Sequence, residues 1–208
     1  MKSRRGSNGF HSRASLGVLT LGATLLATPA SAHHAMGGAT PSNGWEGLLS
    51  GLAHPVIGLD HLAFVIAAGL IASVHRRGAF IPIAFVAASL IGTGIHGLAW
   101  KLPGPELLVS FSVLLFGTLL MARHRSFPLS AGLAAGGGVF HGYAYGASIV
   151  GVASTPLVAY LLGLALVQLA IALSVQGAYQ VAARRTSETT LRWAGFAICC
   201  VGLAYLSA

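Results

Sequence analysis

The sequence predicts an all-α membrane protein, with six transmembrane helices after a cleaved signal peptide, and three observations carry that prediction. Of 208 residues, 55% are hydrophobic and only 8% are charged, against about 25% charged in a soluble domain. The apolar residues fall into runs long enough to cross a hydrocarbon core, without the alternation that a transmembrane barrel requires. The basic residues between those runs gather on one predicted side. With no water in the core, helices are the structure that satisfies the backbone internally. The length suggests a single domain.

The N-terminus reads as a secretory signal over residues 1–32. Lys2, Arg4, Arg5 and Arg13 form a basic leading region, residues 16–28 an apolar stretch, and Ala30-Ser31-Ala32 an A-x-A cleavage site. The apolar run is short for a span and ends at Pro29, which favours cleavage over retention as a first helix. The mature chain, 33–208, then begins at His33. Residues 33–51 read as a short polar, glycine-containing outer segment, with Trp45 as an interfacial anchor beside Glu46.

Six apolar stretches follow, at 52–74, 79–100, 106–122, 128–150, 155–182 and 191–207. A cleaved signal leaves the new N-terminus outside, so the first helix runs inward and the loops alternate. The inner loops then hold Arg76, Arg77, Arg123, Arg125, Arg184, Arg185 and Arg192, and the outer segments hold only Lys101. This is the asymmetry expected of a multi-pass protein of the bacterial inner membrane with periplasmic N- and C-termini. The first three helices and the last three have opposite orientations, which suits two inverted halves, although the halves share little sequence.

The net charge of +8 does not indicate a nucleic-acid binder. Its charges are dispersed in the signal and the short loops, with no continuous basic face interleaved with aromatics. Cys199 and Cys200 are adjacent and read as small apolar fillers, because disulfide geometry needs a wider separation.

The chemistry concentrates in ionisable groups inside spans, which are expensive and therefore functional candidates. Asp60 is the only acidic residue within a span, in His54-Pro55-Val56-Ile57-Gly58-Leu59-Asp60-His61. Pro55 suits a first helical position, which places His54 at a helix start and His61 two turns on, nearly on the same face. His96 lies near the outer end of the second span and His141 in the outer half of the fourth, so four histidines and Asp60 share one depth. Imidazole with carboxylate suits nickel or cobalt, and zinc less so. One carboxylate is too few for a calcium or magnesium site. His33 and His34, beside the new α-amine, offer a tetragonal site for capturing the same ion. His75 and His124 read as interfacial residues beside arginines. Gln168, Ser174 and Gln176 line a polar path or bridge helices. Gly138, Gly142 and Gly146, four apart, form a face for close helix approach.

His54-x5-Asp60-His61 together with Phe140-His141-Gly142-x-Ala144-x-Gly146 resembles the HupE/UreJ family of nickel or cobalt permeases over essentially the whole chain. The resemblance implies a transporter rather than an enzyme, with the metal as cargo and no prosthetic group. The expected partners are the metal ion and the lipid bilayer, with either a homo-oligomer or the hydrogenase or urease maturation proteins with which the family is often associated as further candidates. The family's second motif usually ends in Glu two residues after its last Gly, and this chain has Ser148 there. The competing expectations are a membrane metalloenzyme holding a catalytic metal and a metal-binding membrane protein without transport.

Overall fold

The computed structural model describes residues 39–122, 125–183 and 187–207. The expected signal peptide, His33, His34 and His124 lie outside the described residues.

The described residues form seven α-helices and one 3₁₀ turn, without a strand: α1 Gly44–Ile57, α2 Leu59–Ser73, α3 Phe80–Gly97, α4 Pro105–Met121, α5 Phe127–Gly146, the 3₁₀ turn Ala147–Ile149, α6 Ser154–Ala182 and α7 Glu188–Leu206. α3, α6 and α7 are each long and apolar enough to cross a bilayer. α1 and α2 qualify only as a pair, bent by 80° at Gly58. α4 is a shorter apolar helix of 17 residues, and α5, with 20, is diluted by glycine. The helices thus correspond to the six expected stretches, with three meeting the length and hydropathy of a span alone and a fourth as the bent pair.

The first stretch departs most from expectation. It is not one helix over 52–74, and residues 44–51 are helical rather than an irregular polar segment. The start signal lies upstream of Pro55. The Asn43 side chain accepts the Glu46 N–H at 3.0 Å, and the Glu46 carboxylate accepts from the Ser42 N–H and hydroxyl, both at 2.8 Å. Such reciprocal capping starts a helix, and the bonds from Ser42 hold the Glu46 carboxyl below its ordinary pKa. Pro55 therefore falls inside the last turn of α1, and His54 lies at a helix end, not a start. Gly58 is extended, with φ −77° and ψ 104°, and the chain turns there into α2. His54 and His61 consequently stand on two helices.

α2 is the axis of the bundle and touches every other helix. Its Phe64, Val65, Ala67, Ala68, Ile71 and Ala72 are fully buried. Around it the remaining helices form three close pairs, α3 with α5, α1 with α6 and α4 with α7. Each seam depends on glycine. A Cβ on Gly142 of α5 would land on the Ser89 carbonyl of α3, one on Gly51 of α1 on the Tyr160 carbonyl of α6, and one on Gly117 of α4 on Cys199 and Gly195 of α7. The expected Gly138–Gly142–Gly146 face is thus a real packing surface. Thr93 completes its seam by donating to the Gly142 carbonyl at 2.8 Å.

The contacts also give direction. Phe85 and Ser89 oppose Gly138 and Gly142 in the same order, so α3 and α5 are parallel. Gly47 and Gly51 meet Pro156 and Tyr160 in order, so α1 and α6 are parallel. Gly117 meets Gly195 while Leu114 meets Gly202, so α4 and α7 are antiparallel. Exchanging the first and last halves of the chain maps the first two pairs onto each other and the third onto itself.

At the end of the bundle remote from His54, Arg125 bonds the Leu119 and Leu120 carbonyls at the end of α4 and pairs with Glu188 at 2.7 Å, tying α4 to α7. Cys199 and Cys200 are both free thiols, as expected.

Gly142→Val drives a branched side chain into the Ser89 backbone and is expected to cost about 1–3 kcal/mol. The melting temperature of the detergent-purified protein should fall. Gly136→Ala, where an added Cβ meets open space, should leave it unchanged.

Candidate metal site

The break at Gly58 creates the site. It ends α1 just after His54 and starts α2 just before Asp60 and His61, so a helix C-terminus and a helix N-terminus meet inside the bundle. Asp60 occupies the first turn of α2, where a carboxylate is favoured by the helix dipole, and its Oδ1 accepts the His61 N–H at 2.8 Å. The room is minimal: a Cβ on Gly58 would strike the His61 ring and approach Asp60. His54, Asp60, His61 and His141 are all buried. Asp60 is within electrostatic reach of the Tyr145 and Tyr205 hydroxyls.

His141 of α5 reaches His61 directly, Nδ1 to Nδ1, at 2.7 Å. Its ring lies between Phe64 of α2 and Phe85 of α3, with centroids 4.5 and 5.6 Å away. His54 and His61 have centroids 6.1 Å apart, and Tyr145 of α5 touches both, at 5.0 and 4.5 Å. Around His54 Nδ1 stand the Tyr160 hydroxyl at 3.1 Å and Ser148 Oγ at 3.3 Å. The position where the family pattern carries Glu is therefore in contact with the first histidine of the other motif.

Hydrogen-bond accounting assigns the protons. Ser112 has one hydroxyl proton, and the Val109 carbonyl, 2.7 Å away, can only accept it. Ser112 Oγ then accepts from His141 Nε2 at 2.9 Å. In a neutral pair, His141 Nδ1 is left with a lone pair and accepts from His61 Nδ1. His61 is thus held as its Nδ1–H tautomer. At His54, the Ser148 and Tyr160 hydroxyls both donate to the Tyr145 carbonyl, at 2.9 and 3.2 Å. Their oxygens are then acceptors for His54 Nδ1.

The structure thus brings His54, Asp60, His61 and His141 into one neighbourhood drawn from α1, α2 and α5. It does not bring His96 there. His96 sits in the last turn of α3 against Gly146, with its ring 4.6 Å from Tyr143, which lies on a different face of α5 from His141. Among the described residues, no three His, Cys, Asp or Glu side chains converge closely enough to hold one ion as they stand. The arrangement is a prepared pair of imidazoles with a carboxylate nearby rather than a closed cage. Ser112, Tyr145 and Tyr160 were missed in the sequence. Tyr145 could have been found, one helical turn after His141. Ser112 and Tyr160 carry no local signal.

Ser112→Ala leaves the His141 Nε2–H without its acceptor, at a cost of about 1–3 kcal/mol, and releases the constraint on His61. Nitrogen NMR of histidine-labelled protein should show a single His61 tautomer, protonated on Nδ1, in the wild type and in Ser112→Thr, and a mixture in Ser112→Ala.

The family model described as HupE / UreJ protein matches residues 21–205. Protein HupE of Rhizobium leguminosarum bv. viciae is 36% identical over 107 residues, 49% of this chain and 54% of that protein, so the alignment spans about half of each. No solved structure matches. With the family model covering nearly the whole chain and both histidine motifs meeting in one site, the chain belongs to the HupE/UreJ family.

Proposed function

We propose that this chain is a six-span permease that carries a divalent transition-metal ion, nickel or cobalt, inward across the bacterial inner membrane. The observation that carries the reading is a broken helix inside the bundle with buried His54 before the break, buried Asp60 and His61 after it, and buried His141 2.7 Å from His61. A bare divalent cation cannot be buried without compensating charge and ligands. Discontinuous helices with exposed backbone ends are how transporters supply them. The parallel and antiparallel seams are those that an alternately threaded chain would form, and the pairing is symmetric under exchange of halves, which suits inverted repeats.

In this reading the ion approaches from the periplasm, gathered by His33 and His34. It binds the His54 and His61 imidazoles, with Asp60 supplying charge. His141 and Ser112 orient His61, and His141 becomes a ligand only if its bond to His61 opens. The membrane potential favours inward movement by about 2.3 kcal/mol per charge per 100 mV, so no other energy source is required. Asp60 is the one carboxylate at the site, and no second acid stands ready for catalysis, which favours transport over enzymatic chemistry.

Uptake of radiolabelled cobalt and nickel by expressing cells should fall by about tenfold or more in Asp60→Asn and His61→Ala at equal membrane abundance, as expected for loss of a buried charge partner or ligand. Uptake equal to wild type in both variants rejects the reading. Ser148→Glu should tighten cobalt binding to the purified protein by about tenfold, because it adds a carboxylate beside His54; binding should be read by equilibrium dialysis.

A further inference from the structure

Gln168 lies midway along α6 with 0% exposure, and neither its amide oxygen nor its amide nitrogen has a hydrogen-bond partner among the described residues. A buried amide with neither end satisfied is rare and calls for a partner from outside the fold. The burial is against protein: Leu162, Leu166 and Leu173 of the same helix face outward.

Gln168 continues the face of α6 that reaches the metal site. Tyr160, Leu164, Gln168, Ala172 and Gln176 follow at four-residue steps, one above another on a helix. The Leu164 backbone lies against Gly51 of α1 and the Ala172 carbonyl against Gly69 of α2. Gln168 therefore stands where α6 passes from α1 to α2, just beyond the site. The opposing stretch of α2 is small, with Ala68, Gly69 and Ala72 buried. Farther along the same face, Gln176 Oε1 is again buried without a partner, and Gln180 donates to the Ser73 carbonyl at 3.4 Å. The unpartnered polar atoms thus run from the metal site toward the opposite end of the α2–α6 seam.

We propose that Gln168 is a second cation station, whose amide oxygen takes the place of a water ligand as the divalent ion leaves His54 and His61, and that the α2–α6 seam toward Gln176 is its exit. An uncharged oxygen suits a step that must bind and then release. This inference rests on the permease reading.

The test is uptake of radiolabelled cobalt beside equilibrium binding to purified full-length protein. Gln168→Leu should bind cobalt within about twofold of wild type yet transport it about tenfold more slowly, while Gln168→Glu, which retains an oxygen ligand, should still transport. Wild-type uptake by Gln168→Leu overturns the station. Wild-type uptake by His61→Ala instead overturns the permease reading beneath it. Should Gln168→Leu not accumulate, Gln168→Cys in a Cys199→Ala, Cys200→Ala background decides. Labelling by a hydrophilic thiol reagent, slowed by cobalt, supports the exit path; the absence of labelling, or labelling indifferent to cobalt, rejects it.

Discussion

A helix interrupted inside a dry bundle loses the hydrogen bonds that a continuous helix provides for itself, and other helices must make good the loss. That requirement, at Gly58, organises the fold. Asp60 caps the new start by accepting the His61 N–H. α2 then runs as a buried axis in contact with every other helix. The break also separates His54 from His61, so that their rings come from two directions and meet Tyr145 between them. A straight helix would have carried both along one face.

Holding other helices near that break demands backbone contact, which explains where the glycines fall. Those of α5 face α3, those of α1 face α6, and Gly117 of α4 faces Gly195 of α7. Where backbones touch, the side chains between them need only be short, and Ser112, Ser148 and Thr93 are short. The site is therefore lined by hydroxyls that set proton positions rather than by charges that would each require compensation. Ser148 in place of an acid follows the same pattern: at His54 Nδ1 it stands as a hydroxyl beside that of Tyr160.

Much of this was legible in the sequence. The helical class, the bounds of α3 and α6, the free cysteines and the glycine face of α5 follow from hydropathy and spacing, which are local properties. The expectation that the two histidine motifs share a region came from their common depth on the predicted topology. The first span was misread because Pro55 is equally at home in the first turn of a helix, where its missing N–H costs nothing. The capping pair Asn43 and Glu46 was present as a rival start signal. His96 shares the depth of the other histidines but turns to Tyr143, because depth is set by position along a helix and direction by its rotation. Tyr160 and Ser112 reach their histidines across 106 and 29 residues of chain, and no local pattern encodes such a meeting.

The pairing of α1 with α6 bears on biogenesis. The first described membrane segment finds its main neighbour in almost the last, so ribosome and translocon must deliver most of the polypeptide before that neighbour exists. Until then the kink at Gly58, with an acid and two imidazoles, sits in lipid or beside the insertion machinery with its polar groups unmet. Assembly is thus governed by long-range closure, which is slow and vulnerable to premature degradation. A truncated product lacking α6 would be a membrane-inserted chain with no completed polar centre.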